Sequence, residues 1–204
     1  MKRALDLLLS TVGLLCAMPV LIVAALAIKL DSRGPVFFRQ QRIGRNFRPF
    51  LIYKFRTMVP DARARGAQIT AGADPRITRV GHFIRKWKLD ELPQLLNVLK
   101  GDMSLVGPRP EVPKYVELFR HDYRELLSVR PGITDLASVK YRDESQLLGK
   151  STDPERTYVE IILPEKISLG KQYIARSSFW YDLKLMWQTL WRIALPEKHS
   201  PTKD

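Results

Sequence analysis

A single cysteine, Cys16, occurs among 204 residues, and it lies inside an apolar run. Neither a disulfide framework nor a cysteine-based zinc site can be assembled from it. Histidine is nearly as scarce. His82, His121 and His199 stand apart in the sequence and read as structural or solvent-exposed side chains. No P-loop pattern and no Gly-x-Gly-x-x-Gly fingerprint occurs, so the usual signatures of nucleotide hydrolysis and of dinucleotide binding are both missing. Internal repeats, low-complexity tracts and linkers are absent as well, which leaves one domain large enough for a real core. Acidic residues are outnumbered, 21 against 34 Lys and Arg, for a net charge of +13. Such a balance calls for an anionic partner: nucleic acid, an anionic membrane surface or a phosphorylated substrate.

Charge is also absent from Leu7 to Ile28, a stretch of about 33 Å as a helix at 1.5 Å per residue. The simplest reading is one membrane-spanning helix, and two features oppose it. Pro19 falls near the middle, where it removes a backbone hydrogen bond and bends a helix. Basic residues flank both sides, Lys2 and Arg3 before the run and Lys29, Arg33, Arg39 and Arg42 after it, so both ends favour the cytoplasm. A helix that enters, breaks at Met18-Pro19 and returns to the same face meets both demands. Lys2-Arg3, an apolar core and Ala25-Leu26-Ala27 also imitate a secretory signal, but the run is long and strongly basic sequence follows it directly. A soluble nucleic-acid binder leaves the run unexplained, so no nucleic-acid partner is expected.

The chemistry concentrates in residues 88–110. Asp90 and Glu91 stand where a helix should begin, because Pro93 suits a first turn and Leu92, Leu95, Leu96 and Leu99 have the spacing of a buried face. Adjacent carboxylates at a helix start are a place to hold metal and phosphate; the bland alternative is acidic decoration of a first turn. Basic residues occur in short clusters: Lys54-Phe55-Arg56, Arg76 with Arg79, Arg85-Lys86, Arg109 between Pro108 and Pro110, and Arg142 beside Asp143. Guanidinium forks suit bidentate phosphate binding, and the prolines restrict the backbone around Arg109. A polyphosphate pocket requires these clusters to converge near Asp90 and Glu91.

The remaining pattern predicts a mostly helical unit with short β and irregular connections. Helices are expected over 76–88, 90–99 and 113–127, and a short hairpin from Val36-Phe37-Phe38 with Phe50-Leu51-Ile52-Tyr53. From Phe179 to Ala194, Trp180, Leu183, Trp187, Leu190, Trp191 and Ala194 share one helical face. That helix either lies in the membrane interface or packs as an ordinary terminal helix.

Five segments together are distinctive: Gly34-Pro-Val-Phe-Phe-Arg-Gln, Lys54-Phe-Arg-Thr-Met, Leu89-Asp-Glu-Leu-Pro-Gln-Leu-Leu-Asn-Val, Gly101-Asp-Met-Ser-Leu-Val-Gly-Pro-Arg-Pro-Glu and Arg130-Pro-Gly-Ile-Thr. In this order they resemble the bacterial sugar transferases called monotopic phosphoglycosyl transferases, over nearly the whole chain. The resemblance implies a monotopic membrane protein: a re-entrant membrane helix at 1–30, then a cytoplasmic catalytic domain with interfacial amphipathic helices at 31–204, the two forming one functional unit. It implies transfer of a phosphosugar from a UDP-sugar to a polyprenyl phosphate such as undecaprenyl phosphate, with Mg2+, on the cytoplasmic face of the bacterial inner membrane. That reaction is the first membrane step of glycan assembly. Asp90 would be the covalent nucleophile that releases UMP, Glu91 would help Asp90 hold the metal, and Arg109, with Arg85 and Arg142, would bind nucleotide or phosphate charge.

Two departures accompany the resemblance. Family members commonly have Ser-Pro at the membrane-helix break, where this chain has Met18-Pro19. Many continue with Gly after Arg-Pro-Gly-Ile-Thr, where this chain has Asp135, so no donor sugar is transferred from the family. The extra membrane domain of longer relatives is also missing from this sequence. A homo-oligomer is compatible with the sequence and not required by it. From another functional class, the alternative is a noncatalytic basic scaffold on the membrane, for which Asp90 and Glu91 would be dispensable.

Overall fold

The computed structural model describes residues 2–194 apart from 63, 65, 67 and 68; His199 lies outside the described residues, and His82 and His121 are exposed. Helix α1 (Lys2–Asp31) precedes an antiparallel hairpin, β1 (Phe37–Ile43) with β2 (Pro49–Phe55). After α2 (Arg79–Lys86), a 3₁₀ helix (Leu89–Gln94) runs into α3 (Leu95–Lys100), then strand β3 (Ser104–Val106). Helices α4 (Pro113–Leu118) and α5 (Arg120–Leu126) lead to β4 (Gly132–Thr134), which pairs in parallel with β3. The chain closes through α6 (Leu136–Lys140), α7 (Glu144–Gly149), α8 (Pro154–Thr157), a π-turn (Tyr158–Ile162), α9 (Leu163–Arg176) and α10 (Phe179–Ala194).

The hydrophobic run forms one uninterrupted helix. Pro19 lies inside the helix, and both Met18 and Pro19 are exposed. Arg3, Asp6, Ser10, Gly13, Ala17, Leu21, Ala24 and Ile28 recur every three or four residues and are the better-covered positions, so one stripe of α1 packs along its length. Its start is bound by polar groups. Asp6 accepts from Ser104 Oγ at 2.9 Å and Leu105 N at 3.1 Å, while Arg3 donates to the last carbonyls of α3, Val98 O at 2.7 Å and Leu99 O at 3.2 Å. Lys2 donates to Val106 O at 3.0 Å and pairs with Asp182 of α10. The far end is apolar, with Ala24 and Ile28 against Phe55 and Ile84. Both ends of α1 therefore rest on the same body, while Leu8, Leu15, Ile22, Val23 and Leu26 face away.

The short helices differ from the sequence expectation for local reasons. Helix α2 starts three residues late because Thr78 caps it, its Oγ1 accepting from Gly81 N at 3.0 Å, while Asp74 and Arg76 form an ion-paired turn ahead of it. Gly81 must lack a side chain, since a Cβ there would lie 2.2 Å from Thr57 O. The predicted 90–99 helix opens as a tight 3₁₀ segment around Pro93, and the 113–127 helix breaks at Phe119 (φ −116°, ψ 36°). The parallel β3–β4 pair was not expected. Gly107 and Gly132 bring its ends together, and a Cβ on Gly132 would lie 2.1 Å from Gly107 N. The helix predicted from Phe179 is α10, which exposes Trp180, Trp187 and Trp191.

Candidate active site

The inward face of the hairpin, the 3₁₀ helix, the segment after β3, the α6–α7 connection and the last turns of α10 enclose a cavity of about 820 Å³. Lys88 sets its floor. Its left-handed backbone (φ 55°, ψ 22°) turns the chain sharply from α2 into the 3₁₀ helix and presents Asp90 and Glu91 side by side. Lys54 comes from β2 and Arg85 from α2. Arg109 follows β3, its backbone N–H donating to Asp135 Oδ2 at 3.1 Å. Asp135 also caps α6 through Ser138 N at 2.6 Å, so β3, β4 and α6 jointly fix Arg109.

The two acids have opposite environments. Glu91 accepts from Lys54 Nζ at 3.1 Å and from both Nη atoms of Arg109, Nη1 reaching Oε2 at 3.2 Å. Burial alone would push the Glu91 carboxyl up, but Arg109 and Lys54 together hold it well below the usual carboxylate range. Glu91 in turn raises Arg109. Asp90 is buried, and its Oδ1 has no hydrogen-bond partner. Burial, followed by the negative charge of Glu91, raises its carboxyl against the opposing pull of Lys54, Arg85 and Lys88. Burial lowers Lys54 and Arg85, with Glu91 and Asp90 respectively opposing that shift. The pair thus comprises one carboxylate fixed in an ion network and one buried carboxyl oxygen without a hydrogen-bond partner.

No cluster of three or more His, Cys, Asp or Glu side chains able to hold a metal occurs among the described residues. Magnesium does not require one, because it binds through one or two carboxylates and completes its shell with substrate phosphates and water. Asp90 with its orphaned oxygen and Glu91 with its remaining lone pair fit that demand.

The sequence model for the bacterial sugar transferase family matches residues 1–195. The chain belongs to that family. Over 194 residues it is 40% identical to the UDP-N-acetylgalactosamine-undecaprenyl-phosphate N-acetylgalactosaminephosphotransferase of Aeromonas hydrophila, covering 93% of this chain and 42% of the relative. Over 196 residues it is 38% identical to the UDP-glucose:undecaprenyl-phosphate glucose-1-phosphate transferase of Escherichia coli strain K12, covering 94% and 40%. The chain therefore spans about two fifths of the length of these two proteins. An uncharacterized sugar transferase of Bacillus subtilis, EpsL, is 37% identical over 198 residues, covering 97% of this chain and 89% of its own.

Within this bacterial sugar transferase, Lys54, Arg85, Asp90, Glu91, Arg109 and Arg142 all line the cavity. Arg142 is held by the Arg192 carbonyl at the end of α10, and its own carbonyl accepts from Lys88 Nζ at 3.4 Å. Arg56 does not line the cavity: β2 ends at Phe55, and the buried guanidinium turns to Ser32, donating to its carbonyl at 2.8 Å and its hydroxyl at 2.9 Å. Pro108 is buried in the turn after β3, where its carbonyl accepts from Gly132 N at 3.0 Å. Met18 and Pro19 lie on α1 outside the cavity. Sequence reasoning missed Lys88, Gln40, Arg42, Glu111, Tyr158 and Lys166, which all line it. Gln40 and Arg42 were accessible in principle, since in a register that pairs Phe38 with Lys54 both share the face of Lys54.

Proposed function

We propose that the protein transfers a phosphosugar from a UDP-sugar to a polyprenyl phosphate, releasing UMP through an aspartyl-phosphosugar intermediate. The observation that carries this reading is the buried, partnerless Asp90 Oδ1 beside the Lys54–Glu91–Arg109 network. In the first step an Asp90 oxygen attacks the phosphorus bonded to the sugar, and the bond from that phosphorus to the bridging oxygen breaks. UMP departs with the electron pair, leaving an acyl phosphate on Asp90. In the second, a phosphate oxygen of the polyprenyl acceptor attacks the same phosphorus and the Asp90 carboxylate leaves unchanged. Arg109, Lys54, Arg85 and Arg142 supply the positive field for the diphosphate, and Glu91 orients Arg109 and Lys54. Bound magnesium, held by Asp90 and Glu91, would neutralise phosphate charge. The relatives' printed names support the donor and acceptor classes, without assigning the sugar.

On the same reading α1 is re-entrant, entering the bacterial inner membrane from the cytoplasm and returning to it. Support comes from its two ends, which rest on one body, and from the basic residues beside both. The exposed tryptophans of α10 suit the adjoining interface. A greasy acceptor and a water-soluble donor then meet over one cavity. Incubation with UDP-sugar alone is the test. About one UMP per active site and a phosphosugar mass adduct are expected, and Asp90→Asn should lose both. An active enzyme without the adduct under rapid quench would overturn the covalent step; a noncatalytic scaffold would release no UMP at all.

A further inference from the structure

The hairpin aims Lys54, Gln40 and Arg42 along one face into the same cavity, and only Lys54 belongs to the carboxylate end. Lys54 lies opposite Phe38, with Gln40 diagonal to it and Arg42 two residues further on. From Phe38, opposite Lys54, the strand advances about 7 Å to Gln40 and about 13 Å to Arg42, at about 3.3 Å per residue. The cavity therefore has a second polar group of side chains, Gln40 and Arg42 with Glu111, beside the Glu91–Arg109 network.

There, four side chains are bonded in series. Tyr158, turned inward by the π-turn, donates its hydroxyl to Glu111 Oε2 at 2.6 Å. Arg42 Nη1 donates to Glu111 Oε1 at 2.6 Å, and Arg42 Nη2 donates to Gln40 Oε1 at 3.0 Å. Burial pushes the Glu111 carboxyl up, but Arg42, Lys166 and the Tyr158 bond hold it below the usual range, so it remains an acceptor for Arg42. A guanidinium on the amide oxygen forbids the flipped amide, which would set N–H against N–H. Gln40 is thus fixed with its NH2 group forward, and no acceptor among the described residues takes the Nε2 hydrogens.

We infer that Gln40 reads the pyrimidine edge of the nucleotide donor, its Nε2 donating to the uracil carbonyl at position 4. Arg42, Glu111 and Tyr158 are positioning residues that keep the amide in that orientation. The inference rests on the UDP-sugar reading above and extends it to selection of the base. Cytosine carries an amino group where uracil carries that carbonyl, so a donor would face a donor and both would go unpaired.

The experiment compares UMP and CMP binding to the full chain in detergent micelles with magnesium, by calorimetry. UMP is expected to bind roughly tenfold tighter than CMP or better. Gln40→Ala should bring the ratio close to one. Arg42→Met, which keeps Gln40 but frees its amide to flip, should also shrink it. In Gln40→Glu the side chain still pairs with Arg42 but now only accepts, so the preference should turn towards CMP, an outcome that misfolding cannot imitate. Equal binding of UMP and CMP by the wild type, or a Gln40→Ala protein with the wild-type ratio, would overturn the base-edge inference alone. Failure of the wild type to bind UMP would overturn the donor reading as well.

Discussion

Arg109 holds Glu91 with both arms of its guanidinium, Nη1 on Oε2 at 3.2 Å and Nη2 on Oε1. Both groups are largely covered, with side-chain exposures of 30% and 16%. Removing one partner strands the other's charge, so Arg109→Met should cost about 3 kcal/mol of unfolding free energy in a denaturant titration. The double variant Arg109→Met/Glu91→Met should lose less than the sum of the two single changes. Additive losses would show that the pair is not coupled.

Asp90 should reduce the stability of the fold at neutral pH. Its folded pKa is raised by burial and by Glu91, so the folded state holds its proton more tightly than the unfolded chain does. The stability this gives is present below the unfolded pKa and is lost as pH rises through the folded pKa. Asp90→Asn should therefore unfold at a higher temperature than the wild type at pH 7, by on the order of 1 kcal/mol, while being inactive. The advantage should vanish in acid below the ordinary aspartate pKa of about 3.9.

The same ionisation should control turnover. The acidic limb of kcat/KM is expected above the ordinary aspartate range, because Asp90 must be ionised to attack. Arg85 opposes that rise. Arg85→Gln should therefore move the limb to higher pH as well as weaken donor binding, and a pH–rate series with fixed magnesium measures both. A limb that stays in place would remove Arg85 from the electrostatics of Asp90.

Topology is tested by single cysteines at positions 2 and 33 in a Cys16→Ser background, labelled from outside intact spheroplasts. Neither should react if both ends of α1 face the cytoplasm. Labelling of one terminus alone would indicate a spanning helix. Pro19→Ala should shift some molecules towards that state.

The long elements were legible because their apolar or aromatic periodicity persists over several turns, as in α1 and α10. The hairpin proved longer than its apolar flanks because Gln40 and Arg42 line a charged cavity and carry no hydrophobic alternation. Strands β3 and β4 were invisible: each is three residues long, and their pairing joins segments distant in sequence. Asp90, Glu91 and Arg109 stood out through the acids before Pro93 and the prolines around the arginine. Arg56 misled because its proximity to Lys54 suggested a shared site, whereas the strand ends between them and sends Arg56 to Ser32.

The bond from Lys2 to Asp182 spans 180 residues. The start of α1 therefore finds this partner only once α10 has been synthesised. The Tyr173 hydroxyl, which donates to Asp182 at 2.7 Å, receives from Lys2 at 3.1 Å, so α9, α10 and the first turn of α1 are joined in one late event. In the folded chain α10 is thus the clasp that fastens the start of α1 to the body.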